Sequence, residues 1–243
     1  MEPLREALPH PKARITGAVY LLYFLTAVLG GLFMRGIVVS GDAAATAANL
    51  LAHESLFRLG LSTSLIAMAL YVAVTALFYE LFKPVNRSLS LVAAFVGLAG
   101  CAIQTVSYLF NLAPFAVVGG APYLAVFNGQ QLQALAFLFL KLQGQGETMG
   151  LVFFGLYDLL IGCLICRSTF QPRILGGLMA VAGLGWLTFL SPPLENYVSP
   201  YNLASGLLVE GLVMLWLLVM GVNVQRWREQ AIAAKVHLSL IHI

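Results

Sequence analysis

Residues 151–178 read LVFFGLYDLLIGCLICRSTFQPRILGGL, an apolar run with one acid inside it, a basic turn containing a proline, and a second apolar run. The acid is Asp158, and no basic residue lies within one helical turn of it. An unpaired carboxylate among roughly 18 apolar residues is costly in hydrocarbon. We therefore expect two helices that cross a membrane, with Asp158 buried against protein, water or a ligand.

The composition is typical of a protein that is embedded in a lipid bilayer. Apolar residues make up 60% and charged residues 9% of the sequence, and the mean hydropathy is +0.89, values that predict an integral membrane protein. The apolar runs are about 20 residues long, whereas tilted β-strands need only about 10 residues of alternating polarity, so the fold class is all-α. The net charge of +3 comes with no basic patch, which argues against a nucleic-acid partner.

Six apolar runs are long enough to cross a bilayer as helices. They are residues 15–34, 59–82, 89–112, 149–166, 174–190 and 203–223. The first run lacks a cleavage site of small residues and is therefore interpreted as an uncleaved anchor. The prediction is a single six-span transmembrane domain at residues 15–225, between an N-terminal segment, 1–14, and a tail, 226–243.

The positions of Lys and Arg predict the orientation of this polytopic bundle. With six spans and both termini in the cytoplasm, ten of the 13 basic residues lie inside and three lie outside, as the positive-inside rule expects. Counting residues 129–143 as a seventh span would move five of the basic residues outside and remove the bias. Six spans with two cytoplasmic termini is therefore the predicted topology.

One segment outside the spans is predicted to be an outer amphipathic helix. It follows Arg35, and Ser40 or Asp42 can cap its first turn. Beyond it, Glu54 and Arg58 are four residues apart and are expected to form a surface pair.

A second segment, Gly129–Gln143, has an apolar core of only about seven residues, which is too short to cross unaided. We interpret it as a short interfacial or re-entrant helix that is broken at Gly144 and Gly146. The preceding residues, 113–128, are rich in Pro and Gly and are predicted to be an outer loop. The last six residues, LSLIHI at 238–243, continue no helical pattern and resemble translated adapter sequence, so they are left out of the fold prediction.

Asp158 and Glu210 are the acids that lie within the predicted spans and away from their ends. Asp158 shares a helical face with Gly155 and Gly162, so it points at a surface where another helix comes close. Its depth in span four is roughly 14 Å, near the bilayer centre, and Glu210 lies roughly 10 Å into span six.

Span three carries a polar stripe that includes Gln104, Tyr108 and Asn111. We hypothesise that these residues and the two acids line one intramembrane polar pocket that opens outward, with Asp158 at its floor. Because no Lys or Arg of a span can neutralise either acid, such a pocket can load and release a proton or hold a small cationic or hydroxylated solute. The alternative is a structural or accessory membrane protein in which the acids and amides only hydrogen-bond helices together, at about 0.6–2 kcal/mol per bond.

No other set of residues supports catalysis or cofactor binding. Cys163 and Cys166 form a C-x-x-C, but without a second ligand pair they are interpreted as packing residues. Ser205 has no histidine base on another span, and His53 is interpreted as a solvated residue. We therefore predict no catalytic residue, metal site or cofactor. The expected partners are the lipid bilayer and a proton or small solute, and a homo-oligomer stays an open alternative.

Four segments of the chain are similar to a known family. They are GDAAATAANLLAHESLFRLG (residues 41–60), LFKPVNRSLSLVAA (81–94), LVFFGLYDLLIGCLICRSTFQPRILGGLMAVAGLGWL (151–187) and LWLLVMGVNVQRW (215–227). Together, and in this order over residues 14–227, they resemble the bacterial domain of unknown function 4386 family. The resemblance implies a multi-pass protein of the bacterial plasma (inner) membrane, and it carries no assigned activity.

Overall fold

The computed structural model describes residues 9–241, and this part of the chain is built of α-helices joined by turns, with no β-strand. The helices are α1 (Pro9–Met34), α2 (Ala43–Ala52), α3 (Glu54–Phe82), α4 (Arg87–Ser107), α5 (Leu109–Val118), α6 (Gly129–Arg167), α7 (Arg173–Leu187), α8 (Pro192–Val198), α9 (Tyr201–Val219) and α10 (Val224–Ile241). Two short 3₁₀ turns lie at Pro122–Leu124 and Thr188–Leu190.

Six segments of the described chain are long and apolar enough to cross a membrane. They are Pro11–Met34, Glu54–Phe82, Arg87–Val118, Gly129–Arg167, Arg173–Leu190 and Tyr201–Val219. The predicted all-α class and the six membrane-crossing segments are therefore confirmed. The side of the membrane on which each terminus lies stays a prediction.

Helix α6 differs from the sequence prediction. The segment Gly129–Gln143 is helical, but it is the first part of one 39-residue helix that continues through Gly144 and Gly146, so the predicted break at these glycines is wrong. A Cβ on Gly146 would lie 2.5 Å from Cβ of Ser107, so this glycine permits close packing of α6 on α4. At about 1.5 Å per residue the helix is about 58 Å long, almost twice the roughly 30 Å of a hydrocarbon core.

Helix α5 extends into the segment that was predicted to be an outer loop. It continues to Val118 although Pro114 lies inside it, so the prediction of a loop from residue 113 is wrong. The proline removes one backbone donor and its ring crowds the carbonyl four residues earlier, at a cost of about 3 kcal/mol. Asn111, Pro114 and Val117 are buried on one face of α5, and this packing supports the helix across the proline.

The tail is also helical, since α10 runs from Val224 to Ile241. The expectation that residues 238–241 leave the helical pattern is therefore wrong, and residues 242 and 243 lie outside the described part of the chain. The start of α10 is held by Trp227, whose buried indole Nε1 donates to the Leu81 carbonyl at 2.9 Å. This hydrogen bond holds the first turn of α10 against the end of α3.

The chain forms two compact units. The first comprises the chain up to Leu22, Leu70–Gly100 and the chain from Leu151 onward; the second comprises Tyr23–Ala69 and Cys101–Gly150. In the second unit, four buried apolar residues form a core: Ile37, Leu50, Phe57 and Leu140. Helix α2 contributes Leu50, and it is capped by Asp42, one of the two caps that the sequence allowed, whose side chain accepts from the Ala45 N–H at 2.8 Å.

In the first unit, α6 and α7 pack with their backbones almost in contact. A Cβ on Gly162 would lie 2.7 Å from the carbonyl oxygen of Gly176, and a Cβ on Gly155 would lie 2.8 Å from that of Gly183. Only glycine allows such an approach. The close helix contact predicted for the face of Asp158 is present, and α7 is the helix that makes it.

One end of the first unit gathers several segments that were predicted to be cytoplasmic. Lys12 lies 3.6 Å from the Glu80 carboxylate, which also pairs with Lys83 at 2.8 Å. Arg14 donates to the Val219 carbonyl at 3.2 Å. The beginning of α1, the turn between α3 and α4, and the end of α9 therefore lie at the same end of the unit.

Candidate functional site

The site is built around Asp158, at the middle of the apolar part of α6. Its side chain is fully buried, with 0% of its surface exposed. The glycine contacts between α6 and α7 determine this position, because Gly155 and Gly162 lie one turn before and one turn after the acid on the same face. The close approach of α7 thus holds Asp158 inside the first unit and away from lipid.

The second acid, Glu210 on α9, is buried and accepts hydrogen bonds at both carboxyl oxygens. The hydroxyl of Tyr20 on α1 donates to Oε2 at 2.8 Å, and the indole Nε1 of Trp186 on α7 donates to Oε1 at 3.0 Å. Hydrogen bonds to a charged acceptor are stronger than neutral ones. Because its two donors lie on α1 and α7, Glu210 links α9 to both of these helices.

Asp158 differs from Glu210 in its hydrogen bonding. Neither of its carboxyl oxygens has a hydrogen-bond partner among the described residues. Glu210 and Trp186 are polar groups close enough to act on its charge, but the hydrogen bond of the Trp186 indole goes to Glu210. A buried polar group without a partner is costly, so this carboxyl needs a proton or a ligand.

Aromatic rings surround the two acids. Tyr71 of α3 lies within electrostatic reach of both carboxyl groups and packs edge-on against Tyr20, with ring centroids 6.2 Å apart. It also contacts Tyr157, the neighbour of Asp158 in the chain, at a centroid distance of 6.1 Å. Tyr20, Tyr71 and Tyr157 are all fully buried. The environment is therefore apolar, apart from a few phenol and indole groups.

Within residues 9–241, no Lys or Arg forms an ion pair with either acid. The ion pairs formed by Lys and Arg in the described chain lie elsewhere, at Glu54 and Glu80. Two carboxylates in a low-dielectric interior repel each other, and removing both charges from water is expensive. The stable state of the pair is therefore one in which a proton, or a cation bound from solution, compensates at least one charge.

Trp186 and Tyr20 are residues of the candidate site that were not predicted from the sequence. The ring of Trp186 packs directly on Gly206, where a Cβ would overlap it, and Gly206 lies one turn before Glu210 on α9. The glycine on the face of Glu210 was therefore a signal for a large neighbour, although it did not identify the neighbour. For Tyr20 the sequence offered no signal, because an aromatic residue within an apolar span usually only packs.

The other three residues of the predicted pocket belong to the second compact unit. Gln104 is buried, and its Nε2 lies 3.5 Å from the Glu147 carbonyl; Tyr108 is half-buried at the junction of α4 and α5. Asn111 is 1% exposed, and neither atom of its amide has a partner in the described chain. A pocket shared by all five residues stays a prediction.

The remaining candidates have structural positions. Arg58 Nε donates to Glu54 at 2.8 Å, in the surface pair that the spacing predicted. His53 is exposed at the end of α2. Cys163 and Cys166 are free thiols, and within the described residues no three His, Cys, Asp or Glu side chains cluster as metal ligands would.

Comparison with protein-family models returns a match over residues 15–221, which is most of the chain and includes Asp158 and Glu210. The model is described as a domain of unknown function, DUF4386. The chain belongs to this family. The predicted resemblance is thereby confirmed, and this DUF4386 protein is an integral membrane protein with six apolar helices long enough to cross a bilayer. Searches of curated proteins and of solved structures found no match.

Proposed function

We propose that Asp158 and Glu210 form an intramembrane carboxyl pair that binds a proton, and that the protein uses it to move a proton or a small cationic or hydroxylated solute across the bacterial plasma (inner) membrane. The observation that carries this proposal is the contrast between the acids. Glu210 accepts two hydrogen bonds, whereas Asp158 has no partner in the described chain. An acid that needs an added proton or ligand is suited to load and release one.

The two acids have different roles in this proposal. Asp158 is the group that takes up the proton, because a protonated carboxyl needs no cation beside it. Glu210 is a positioning residue, since Tyr20 and Trp186 hold its carboxylate at a defined place on α9. Its negative charge then favours the proton on Asp158.

Proton binding at Asp158 is tested with a hydrophobic carbodiimide, which reacts with protonated carboxyl groups in apolar surroundings. The purified full-length protein is treated in detergent at pH 6 to 9, and the modified residue is mapped by mass spectrometry. We expect modification at Asp158 that decreases as the pH rises, with little at Glu210, whose oxygens are both occupied. Equal modification of both acids, or none at Asp158, would contradict the proposed roles.

Proton movement is tested in proteoliposomes with a potassium diffusion potential and an entrapped pH-sensitive dye. We expect the wild-type protein to admit protons and Asp158→Asn to reduce the initial rate at least tenfold. Asp42→Asn is the matched control, because Asp42 is exposed and Asn also caps a helix well. A wild-type rate equal to that of empty vesicles, or an Asp158→Asn rate equal to wild type, would refute proton movement through this pair.

The second candidate is a structural or accessory role, and the contacts of Glu210 favour it. Each of its two hydrogen bonds joins α9 to another helix, as expected if the acid only holds the bundle together. On this hypothesis both acids contribute to stability, and Asp158→Asn lowers the melting temperature without changing any flux. Asp158→Asn with a wild-type melting temperature and an altered flux would exclude a purely structural role for Asp158.

A further inference from the structure

Two neighbouring cavities lie in the first compact unit where several helices begin or end. One, of about 410 Å³, is lined by residues of the α6–α7 turn, the end of α9 and the start of α10. The other, of about 710 Å³, is lined by the same turn and the next turns of α10. Thr169, Gln171 and Arg226 line both cavities, so the two adjoin.

Gln171 is the unusual residue of this region. Its side chain is 7% exposed, and neither the amide oxygen nor the amide nitrogen has a hydrogen-bond partner among the described residues. The cost of burying an amide in this way is offset when a ligand supplies the missing hydrogen bonds. Because Gln171 lines both cavities, such a ligand would lie in them.

The charged groups around the amide favour an anion. Arg226 lines both cavities, and Arg173, the first residue of α7, lines the larger one. The positive end of the α7 dipole also lies at Arg173. Glu229 is the acid among the residues that line the larger cavity, and it accepts from the Gln225 amide at 3.1 Å. The two guanidinium groups of Arg173 and Arg226 therefore outnumber the single carboxylate.

The frame of the site is held in place by hydrogen bonds between α10 and the α6–α7 turn. Gln230 Oε1 accepts from the backbone N–H and the hydroxyl of Thr169, at 3.1 and 3.0 Å. Arg226 donates to the Thr169 carbonyl at 3.4 Å. An arginine has five N–H donors, so Arg226 keeps donors for a ligand.

The smaller cavity adds an apolar wall. Trp216 and Met220 at the end of α9 line it together with Phe170. Three apolar segments end or begin here, at Arg167, Arg173 and Val219, so the cavity lies where hydrocarbon gives way to headgroups in a bilayer. A site with basic and amide groups on one side and apolar side chains on the other fits an amphiphile with an anionic headgroup.

We propose that this site binds the phosphate of an anionic phospholipid, with Arg173, Arg226 and the Gln171 amide on the phosphate oxygens and the acyl chains beside Trp216 and Met220. Arginine donates to phosphate oxygens with favourable geometry, and the Gln171 nitrogen gains the acceptor that it lacks. The site lies apart from the carboxyl pair and does not depend on its function.

The test is native mass spectrometry of the full-length protein in detergent, titrated with phosphatidylglycerol or with zwitterionic phosphatidylcholine. We expect adducts with phosphatidylglycerol that survive release from the micelle, and at least tenfold weaker binding of phosphatidylcholine. Arg226→Gln and Arg173→Gln should each weaken phosphatidylglycerol binding about tenfold. Gln171→Glu, which adds a negative charge in nearly the same volume, should weaken it at least as much.

Arg228→Gln is the matched control, because Arg228 is exposed on the same helix, carries the same charge and lines neither cavity. A loss of binding in Arg228→Gln as large as in Arg226→Gln would overturn the site, because it would show that lipid binding depends only on the net charge of the protein. Equal binding of the two lipids would overturn the preference for an anion. Displacement of phosphatidylglycerol by inorganic phosphate at equal concentration would overturn the assignment to a lipid. The melting temperature of each variant is measured as well, and a wild-type value shows that binding was lost from a folded protein.

Discussion

Trp186 donates its indole hydrogen to Glu210 across the α7–α9 contact, at 3.0 Å, while Tyr20 donates to the other oxygen of the same carboxyl at 2.8 Å. Removing one donor leaves a buried carboxylate oxygen without compensation, which costs about 1–3 kcal/mol. Trp186→Phe keeps an aromatic ring and deletes the N–H, so we expect a lower melting temperature in detergent. Trp216→Phe, on α9 and half-buried, is the control and should change it less. Equal losses would show that ring size, and not the hydrogen bond, determines stability.

The two acids should respond differently to amide substitution. Glu210→Gln replaces an acceptor by an N–H₂ group that faces a donor, so we expect a loss of about 1–3 kcal/mol in the free energy of unfolding. Asp158→Asn should change stability by less, because the described chain provides Asp158 with no hydrogen bond to lose. Thermal unfolding of both variants in the same detergent measures the difference. A larger loss for Asp158→Asn would show that Asp158 is the acid that holds helices together.

Two adjacent glycines on α7 provide a test of the close packing between α6 and α7. A Cβ on Gly176 would lie 2.6 Å from the Gly162 carbonyl oxygen and 2.6 Å from Cys166 Sγ, whereas one on Gly177 would meet nothing within 4 Å. Gly176→Ala should therefore destabilise the protein by about 1–3 kcal/mol through overpacking. Gly177→Ala should stabilise it by up to about 1 kcal/mol through helix propensity. If thermal unfolding shows the same sign for both, the close approach of α6 and α7 is wrong.

A second pair of glycines tests the continuity of α6. A Cβ on Gly144 would meet nothing within 4 Å, whereas one on Gly146 would lie against Ser107. Gly144→Ala should raise the melting temperature, since alanine favours a continuous helix by about 1 kcal/mol. Gly146→Ala should lower it through the clash with Ser107. A lower melting temperature for Gly144→Ala would indicate a break at this point, as the sequence alone predicted.

The sequence predicted features that depend on one helix at a time. The face shared by Asp158, Gly155 and Gly162 follows from the period of an α-helix, and the structure places the α7 backbone against that face. The break predicted at Gly144 and Gly146 failed because propensity costs only about 1 kcal/mol per glycine, which is less than the packing of a long helix can supply.

The hydrogen-bond partners of the acids could not be predicted. Tyr20 and Glu210 are 190 positions apart in the chain, and no periodic pattern relates residues on different helices. In the same way, Gln171 lies in a short polar turn, which the sequence alone would place in solvent. In the structure Gln171 is buried, and α10 packs against this turn. Each of these depends on which helices pack together.

The sequence by itself determined that the protein lies in a membrane, that its fold is all-α and that six helices are long enough to cross. The reason is that hydrocarbon requires long apolar helices whose backbone groups are hydrogen-bonded internally. It also determined that Asp158 and Glu210 are unpaired with any cation of their own helix. Only the tertiary structure decided that Glu210 receives the donors Tyr20 and Trp186 while Asp158 receives none in the described chain. The physical reason is that a donor's effect depends on distance and direction, which the packing of α1, α7 and α9 sets.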